Sequence, residues 1–185
     1  AKSKTLAEKA AWEFIEKDNS GMELSTVLPA MVFGPILEED FGVSVGAILD
    51  MMNGKYPIVP NWDMGVVDVR DVASLEILAM TKPEAAGKRF VCSAENMFMK
   101  DQNEYLSELF PESASKIPKR VAPNWLIKFL ALFLPALKMI AEGLGKERSM
   151  DSSRAKNLLG WNPRSAKEAV KSAAESAKEF GLIED

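Results

Sequence analysis

Apolar residues recur along this chain at two spacings, which predict helices and strands in alternation. Residues 1–17 carry an apolar stripe at helical spacing, and the turn-forming run Asp18-Asn19-Ser20-Gly21 ends that helix. Residues 22–33 are mostly apolar with a proline near their end, which favours a buried strand. Helical spacing returns over residues 40–52.

The same alternation continues to the end of the chain. Residues 64–69 predict a second strand, Asp71 is expected to cap a helix that runs to Met80, and residues 89–93 predict a third strand. Further helices are predicted over residues 100–110, 125–144, 152–159 and 165–180. Strands that alternate with helices are typical of an α/β fold with parallel strands.

Two features predict that this sequence is the C-terminal part of a larger domain. The helix over residues 1–17 has a clear end but no capping residue before its first turn. Three strands are also few for an independent sheet of this class. We therefore expect residues upstream of Ala1 to complete the fold.

The amino-acid composition excludes several kinds of functional site. The net charge of −4 argues against binding to nucleic acid or to an anionic membrane. The chain contains no histidine, which excludes nucleophile–histidine pairs and the usual zinc sites within it, and no tight carboxylate cluster indicates another metal. The single cysteine, Cys92, lies in a predicted strand, where we expect it to be buried and inert.

The sequence shows neither an export signal nor a membrane span. Residues 1–9 are polar and charged, unlike a signal peptide. Residues 125–141 form the longest apolar run, but they are fewer than the roughly 20 residues that a span needs, and Lys128, Pro135 and Lys138 interrupt them. A soluble, cytoplasmic protein is therefore expected.

Four segments carry a resemblance to a known family. They are residues 1–8 (AKSKTLAE), 29–35 (PAMVFGP), 66–73 (VVDVRDVA) and 153–163 (SRAKNLLGWNP). In this order and at these separations, they resemble the extended short-chain dehydrogenases/reductases, the epimerase/dehydratase superfamily. Residues 53–57 (NGKYP) favour its dihydroflavonol reductase-like and aldehyde reductase-like branch.

The resemblance implies a fold and a division of the chain. It implies the C-terminal portion of a Rossmann-type, doubly wound parallel sheet, joined to a smaller, mostly helical substrate-binding domain. Residues 1–35 and 64–96 would belong to the Rossmann part. Residues 36–63 and 97–185 would form the substrate-binding region and the terminal helices.

The resemblance also implies a site. The family's motif is a tyrosine, three residues and a lysine, and Lys4 has the lysine's place if a tyrosine precedes Ala1. An ammonium group beside a phenol lowers the phenol's pKa, so that the tyrosine can protonate a carbonyl near neutral pH. Lys4 would be catalytic, and the cofactor would be bound by Lys4, Pro29, Val32 and Ser44. Tyr56 and Trp62 fall where the family binds substrate.

Each of these assignments has a plainer interpretation. Lys4 also fits a solvated helix lysine, and residues 29–35 a buried strand that ends in a turn. Tyr56 and Trp62 also fit surface aromatic residues that pack near a turn. Arg70 is a weak candidate for contacting a phosphate or the substrate. Several methionines could line an apolar pocket or fill gaps in a core, namely Met31, Met51, Met52, Met97 and Met99.

The function implied by the resemblance is a carbonyl reductase that moves hydride from NADPH or NADH to a small aldehyde or ketone. The family's glycine-rich loop, catalytic serine or threonine and tyrosine are not in these 185 residues, so we expect the chain alone to be inactive. One alternative is a nucleotide-sugar epimerase or dehydratase that holds NAD. The other is a non-catalytic binding or assembly module, which would form homo-oligomers or associate through an unpaired sheet edge.

Overall fold

The computed structural model describes residues 2–134, 137–147 and 150–184. Its strands are β1 (Thr26–Pro29), β2 (Met31–Phe33), β3 (Asp63–Asp68), β4 (Arg89–Cys92) and β5 (Glu95–Phe98). Its helices are α1 (Lys2–Lys17), α2 (Val43–Met52), α3 (Val69–Thr81), α4 (Met99–Leu109), α5 (Asn124–Leu130), α6 (Lys138–Gly143), α7 (Ser153–Leu159) and α8 (Ala166–Glu179). A short 3₁₀ turn, Pro83–Ala85, follows α3.

The strands form two small sheets in which most neighbours run parallel. β1 pairs with β4 in parallel, and β2 pairs with β3 in parallel. β5 adds to the other side of β3 in the antiparallel direction. Helix α3 separates β3 from β4 along the chain, and both α3 and α7 pack against the strands. The α/β fold class with a parallel sheet is therefore confirmed.

The strand predicted over residues 22–33 divides between the two sheets. β1 ends at Pro29, which has no N–H to offer to a ladder. The N–H of Ala30 still donates to the carbonyl of Cys92 at 3.0 Å, and from Met31 onward the chain pairs with β3 instead of β4. The prediction of one buried strand was wrong, since β1 is only half-buried and Pro29 is exposed.

The larger core lies between the β2-β3-β5 sheet and helices α2, α4 and α8. Helix α8 turns small side chains toward the sheet, which lets its backbone approach closely. These buried residues are Ala166, Ala169, Val170, Ala173, Ala174 and Ala177. The methionines at 51, 52, 97 and 99 are buried in this core, and Met31 packs against it. Met97 also lines a cleft on the β3–β5 side of the molecule.

A second core lies where α3 and α7 cover the β1–β4 sheet. Phe90, Cys92 and Leu75 are fully buried there, beside Trp161. Burial raises the pKa of the Cys92 thiol to about 12, because the thiolate would lose its hydration. The prediction that Cys92 is buried is confirmed.

The N-cap of helix α3 lies three residues before the predicted one. Asp68 is the N-cap, and its side chain accepts from the N–H of Arg70 at 2.9 Å. Asp71 instead lies in the first turn, buried, and accepts from the N–H of Arg164 at 2.7 Å and from its guanidinium at 2.6 Å. The expectation that Asp71 caps the helix was wrong, because two aspartates compete for one start and only Asp68 precedes the first turn.

The apolar stretch predicted as one helix over residues 125–144 contains two helices, α5 and α6. Pro135 in this stretch lies outside the described residues, as does Ala1 at the other end of the chain. Trp125, Phe129 and Phe133 are exposed on the surface. Along the described stretches, no helix has both the length and the apolar character that crossing a bilayer requires.

Candidate functional site

Helix α1 meets the sheet through Glu8, one turn after Lys4. The Glu8 carboxylate accepts from Arg89 Nε at 2.6 Å and from Thr26 Oγ1 at 3.0 Å. The hydrogen bond from Arg89 is the main reason why the pKa of Glu8 falls to about 2. Thr26 and Arg89 are the first residues of β1 and β4, so this contact holds α1 against the amino ends of both strands. Lys4 is exposed in the first turn of α1.

The sheet face under α1 is opposite the face under α3. Side chains alternate along a strand, so Thr26 and Arg89, which contact α1, point away from Val27 and Phe90, which belong to the core under α3. The β1–β4 sheet thus carries helices on both faces. This is the layering that the Rossmann resemblance implied.

The junction between β1 and β2 holds the two residues predicted to flank the nicotinamide. Pro29 is exposed at the end of β1, and Val32 is half-buried in the middle of β2. Within the described residues, β1 pairs only with β4 and β2 only with β3. The other edge of this segment therefore presents backbone N–H and C=O groups that a flat amide ligand could pair with.

Gly34 fixes the end of this segment against the start of α3. Its φ of +120° is a conformation that side chains other than glycine rarely adopt. A Cβ at Gly34 would lie 2.9 Å from Val69 Cγ1 and 3.0 Å from Asp68 Oδ1. The turn after β2 therefore needs glycine for two independent reasons, conformation and space.

Helix α2 begins with an N-terminus that carries no side-chain cap. Its N-cap is Gly42, Val43 is 91% exposed, and Ser44 is half-buried at the second helical position. The first N–H groups of a helix lack partners within the helix, and the helix dipole favours an anion there. The start of α2 thus fits a phosphate group, with the Ser44 hydroxyl beside it.

The two residues predicted to bind substrate have different surroundings. Tyr56 is 47% exposed, and its hydroxyl donates to Asp50 Oδ2 at 3.4 Å. Trp62 is only 8% exposed and packs in the larger core, so describing it as a surface aromatic was wrong. Its buried Nε1–H has no hydrogen-bond partner among the described residues.

Arg70 is held by a carboxylate at its own helix start. Its Nε donates to Asp68 Oδ1 at 2.8 Å and its Nη2 to Asp68 Oδ2 at 2.6 Å, and Nη2 also reaches Ser172 Oγ at 3.3 Å. Burial raises the pKa of Asp68, but the Arg70 hydrogen bonds lower it by more, so the carboxyl stays below its ordinary range. Arg70 therefore joins α3 to α8 and is poorly placed to bind a phosphate.

One cleft that the sequence did not indicate lies on the β3–β5 side of the molecule. It has a volume of about 380 Å³ and is lined by Asp63, Asn96, Met97, Phe98, Asp101, Glu147 and Met150. Gly65 lies beside it in β3, where Met150 and the buried Ser93 hydroxyl approach the backbone. A glycine inside a predicted strand was the available signal, since it often marks a close approach.

Comparisons with known proteins identify the family. The chain is 31% identical over 186 aligned residues to the NADPH-dependent methylglyoxal reductase of Saccharomyces cerevisiae, covering 96% of this chain and 50% of the relative. It is 38% identical over 123 residues to a cinnamoyl-CoA reductase of Medicago truncatula, covering 66% of this chain and 36% of the relative. No family model matches the chain.

A solved structure agrees with the sequence relatives. The yeast methylglyoxal/isovaleraldehyde reductase, crystallised with NADPH, superposes with a TM-score of 0.73 at 29% identity, over 98% of this chain and 55% of that one. The chain belongs to the extended short-chain dehydrogenase/reductase superfamily, in its dihydroflavonol reductase-like branch. It spans about half the length of the curated relatives that match it over most of its residues.

Proposed function

We propose that the full polypeptide carrying this sequence is an NAD(P)H-dependent reductase of small aldehydes or ketones. The observation that carries the proposal is the similarity to an NADPH-dependent reductase over 96% of the chain. The structure that matches over 98% of the chain was also solved with NADPH. The yeast reductase is the relative in both comparisons, and its use of NADPH favours NADPH over NADH, a choice that the sequence of this chain left open.

The residues present fit the cofactor at two places. The free backbone edge from Pro29 to Val32 suits the nicotinamide carboxamide, and the uncapped start of α2 at Ser44 suits a phosphate. When bound, the cofactor would supply the hydride. The chain's own contribution is to hold the nicotinamide against a rigid strand, which orients it before the reaction.

Lys4 would act through a neighbouring phenol. It lies in the first turn of α1, and Glu8 holds this helix against the sheet. The backbone that carries the Lys4 side chain is therefore held in place. That charge would favour the phenolate of a tyrosine one turn earlier and so help a proton move to the carbonyl oxygen. Tyr56 and Trp62 stay predictions for substrate binding.

The 185 residues alone are proposed to be inactive. The glycine-rich loop that binds the diphosphate in this superfamily is absent from the sequence, and so are the tyrosine before Lys4 and the family's catalytic serine or threonine. A cytoplasmic location is part of the same proposal. So is association through the free edge of β1, with a second copy as one candidate partner.

The test is carbonyl-dependent oxidation of NADPH by the full polypeptide, with methylglyoxal and isovaleraldehyde as substrates. Lys4→Met should lower kcat by at least about 100-fold, the usual scale for assisted proton transfer, and leave folding intact because Lys4 is exposed. Lys2→Met is the matched control, on the same helix at the wrong spacing, and should keep its activity. A full polypeptide without activity, or two lysine variants with equal losses, would contradict the proposal.

A further inference from the structure

Helix α5 and the turn after it carry apolar side chains on two faces. One face buries Ile127 in a small core with Ala122 and Leu144. The other face exposes four large apolar side chains, each by more than half, which form the α5 patch: Trp125, Phe129, Leu132 and Phe133. Their spacing places them on one side of the helix, which continues beyond α5 because the N–H of Phe133 donates to the carbonyl of Leu130 at 3.0 Å.

The α5 patch is a continuous apolar surface. The rings of Phe129 and Phe133 meet edge to face, with centroids 5.5 Å apart. Single exposed apolar residues are ordinary on a protein surface, but adjoining ones mark a site of association. A helix that is apolar on all sides is normally buried. The patch therefore indicates a second apolar surrounding, which the described residues do not provide.

The segment that contains the patch is basic, although the chain as a whole is acidic. Residues 113–141 include five lysines or arginines and no aspartate or glutamate, which gives this segment a charge of +5. The other 156 residues carry −9, and together they give the net charge of −4. The chain-wide charge argues against an anionic membrane as a partner, but it averages over this local excess of positive charge.

Three of these basic residues are placed to act with the patch. Lys128 is exposed on α5 between Trp125 and Phe129, and Lys119 and Arg120 are exposed in the connection that leads into α5. None of the three pairs with a carboxylate in the part of the chain that the structure describes. A lysine stem can lie along an apolar surface while its ammonium group stays among polar groups.

We propose that the α5 patch binds the surface of an anionic lipid bilayer. The four apolar side chains would enter the boundary between headgroups and acyl chains, and Lys119, Arg120 and Lys128 would contact the headgroup phosphates. The contact is peripheral, since no helix among the described residues can cross a bilayer. It agrees with the cytoplasmic location proposed above, because the cytoplasmic leaflet carries the anionic lipids.

The charges disfavour a second copy of this chain as the occupant of the patch. In a two-fold symmetric contact the patch would face itself, so that Lys128 of one copy would approach Lys128 of the other. The segment over residues 113–141 has no carboxylate that could neutralise them. An anionic bilayer supplies both the apolar surrounding and the negative charge.

Co-sedimentation of the full polypeptide with lipid vesicles tests the proposal. Phosphatidylcholine vesicles with about 30 mol% phosphatidylserine should bind it at least roughly 10-fold more tightly than pure phosphatidylcholine vesicles, because each basic residue near an anionic surface adds about fivefold. Salt at about 0.5 M should remove most of this preference by screening. Absence of binding to the anionic vesicles, or equal binding to both kinds, would overturn the proposal.

Two variants separate the apolar contribution from the charged one. Phe133→Ser should weaken binding roughly 10-fold, because less apolar surface leaves water. Lys128→Gln should weaken it about 5-fold, and only with anionic vesicles.

Matched controls come from outside the patch. Leu37→Ser changes a side chain that is 92% exposed but is followed by three acidic residues, and Lys156→Gln changes an exposed lysine of α7. Both controls should bind as the unchanged protein does. Losses in the controls as large as those of Phe133→Ser and Lys128→Gln would refute the assignment of the patch.

Tryptophan fluorescence locates the contact directly. Brominated lipids in the vesicles should quench the emission, and Trp125→Phe should remove most of this quenching, because Trp62 and Trp161 are buried. Quenching that Trp125→Phe leaves unchanged would overturn the proposal.

The rival occupant is tested without lipid, by sedimentation equilibrium. The full polypeptide should show no dimer that depends on the patch. A dimer that Phe133→Ser dissociates would assign the patch to a second copy and overturn the proposal. None of these measurements uses reductase activity, so their outcomes leave the proposed function to its own test.

Discussion

The two sheets of this molecule differ in how completely the chain covers them. The β2-β3-β5 sheet packs against α2, α4 and α8, and the larger core lies in that contact. The β1–β4 sheet has a dry core only under α3 and α7, whereas α1 on its other face buries none of its residues. Leu6 and Phe14 of α1 are 55% and 62% exposed.

The difference shows which part of the molecule provides stability and which provides a surface. The region around α8 buries its apolar side chains against other elements of the same chain. The region around α1 carries Lys4, the β1–β2 junction and a strand edge that is unpaired within the described residues, which are the parts that the proposed cofactor would cover. A loosely covered sheet beside a well-packed one is what a ligand-binding face on a rigid scaffold requires.

The largest expected effect comes from removing the same side chain in the two regions. Leu106→Ala, in the buried face of α4, should lower the free energy of unfolding by about 2–5 kcal/mol, because it leaves a cavity in the larger core. Leu6→Ala in α1 should change it by less than about 0.5 kcal/mol in these 185 residues, because Leu6 is exposed. Chemical denaturation of the purified chain measures both, and equal losses would contradict the comparison.

The next effect concerns the turn that joins the regions. Gly34→Ala should cost about 1–3 kcal/mol for its backbone conformation, and further free energy because Val69 and Asp68 occupy the space of the new Cβ. Gly21→Ala is the control, since Gly21 also has a positive φ but has nothing within 4 Å of a Cβ. If both variants unfold at the same denaturant concentration, the close approach at Gly34 does not contribute to the loss of stability.

A smaller effect separates the starts of α8 and α7. Ser165 accepts a hydrogen bond from the N–H of Glu168 at 3.2 Å, so Ser165→Ala should cost about 1 kcal/mol. Ser152 is the N-cap of α7 but makes no side-chain cap bond, so Ser152→Ala should cost less. Thermal unfolding of the two variants measures the difference. A larger loss of stability for Ser152→Ala would contradict the assignment of Ser165 as the stronger cap.

The smallest effect is a pH dependence at α1. The pKa of Glu8 in the folded chain is about 2, below its ordinary value of 4.5, so the folded state holds its proton less tightly than the unfolded state. The Glu8–Arg89 contact therefore stabilises the chain fully above about pH 5, and this contribution is lost as the pH falls from there toward 2.

Glu8→Gln should accordingly flatten this acid limb of the stability curve. Glu13→Gln, also on α1, serves as the control and should leave the limb unchanged. Urea titrations at pH 6 and pH 3 distinguish the two variants. An acid limb that Glu8→Gln does not alter would remove Glu8 as the anchor of α1.

Periodicity predicted the elements whose pattern is local. The strand at residues 64–69 and the helices near α4, α7 and α8 form close to where their apolar spacing indicates. β5 was missed because Glu95–Phe98 is short and its first two residues are exposed. The division of residues 22–33 was missed because a change of strand partner leaves no periodic signal, and Pro29 was the only local hint.

The candidate site was predicted unevenly. The family resemblance implied the roles of Lys4, Pro29, Val32 and Ser44. The structure adds the unpaired strand edge and the uncapped helix start beside them. The burial of Trp62 depends on α4 and the strands packing around it, which no local pattern shows. The close approach at Gly65 involves Ser93, Met150 and Ala30 from three other segments, so it appears only in the folded chain.

The most direct test of the account is amide hydrogen exchange of the full polypeptide with and without NADPH. We predict slower exchange in residues 30–33 and at the start of α2, near Ser44, and no change in α8, whose face is already buried in the larger core. Protection confined to α8 or other distant elements, or no change anywhere at saturating NADPH, would contradict the assignment of the β1–β2 junction and α2 to the cofactor.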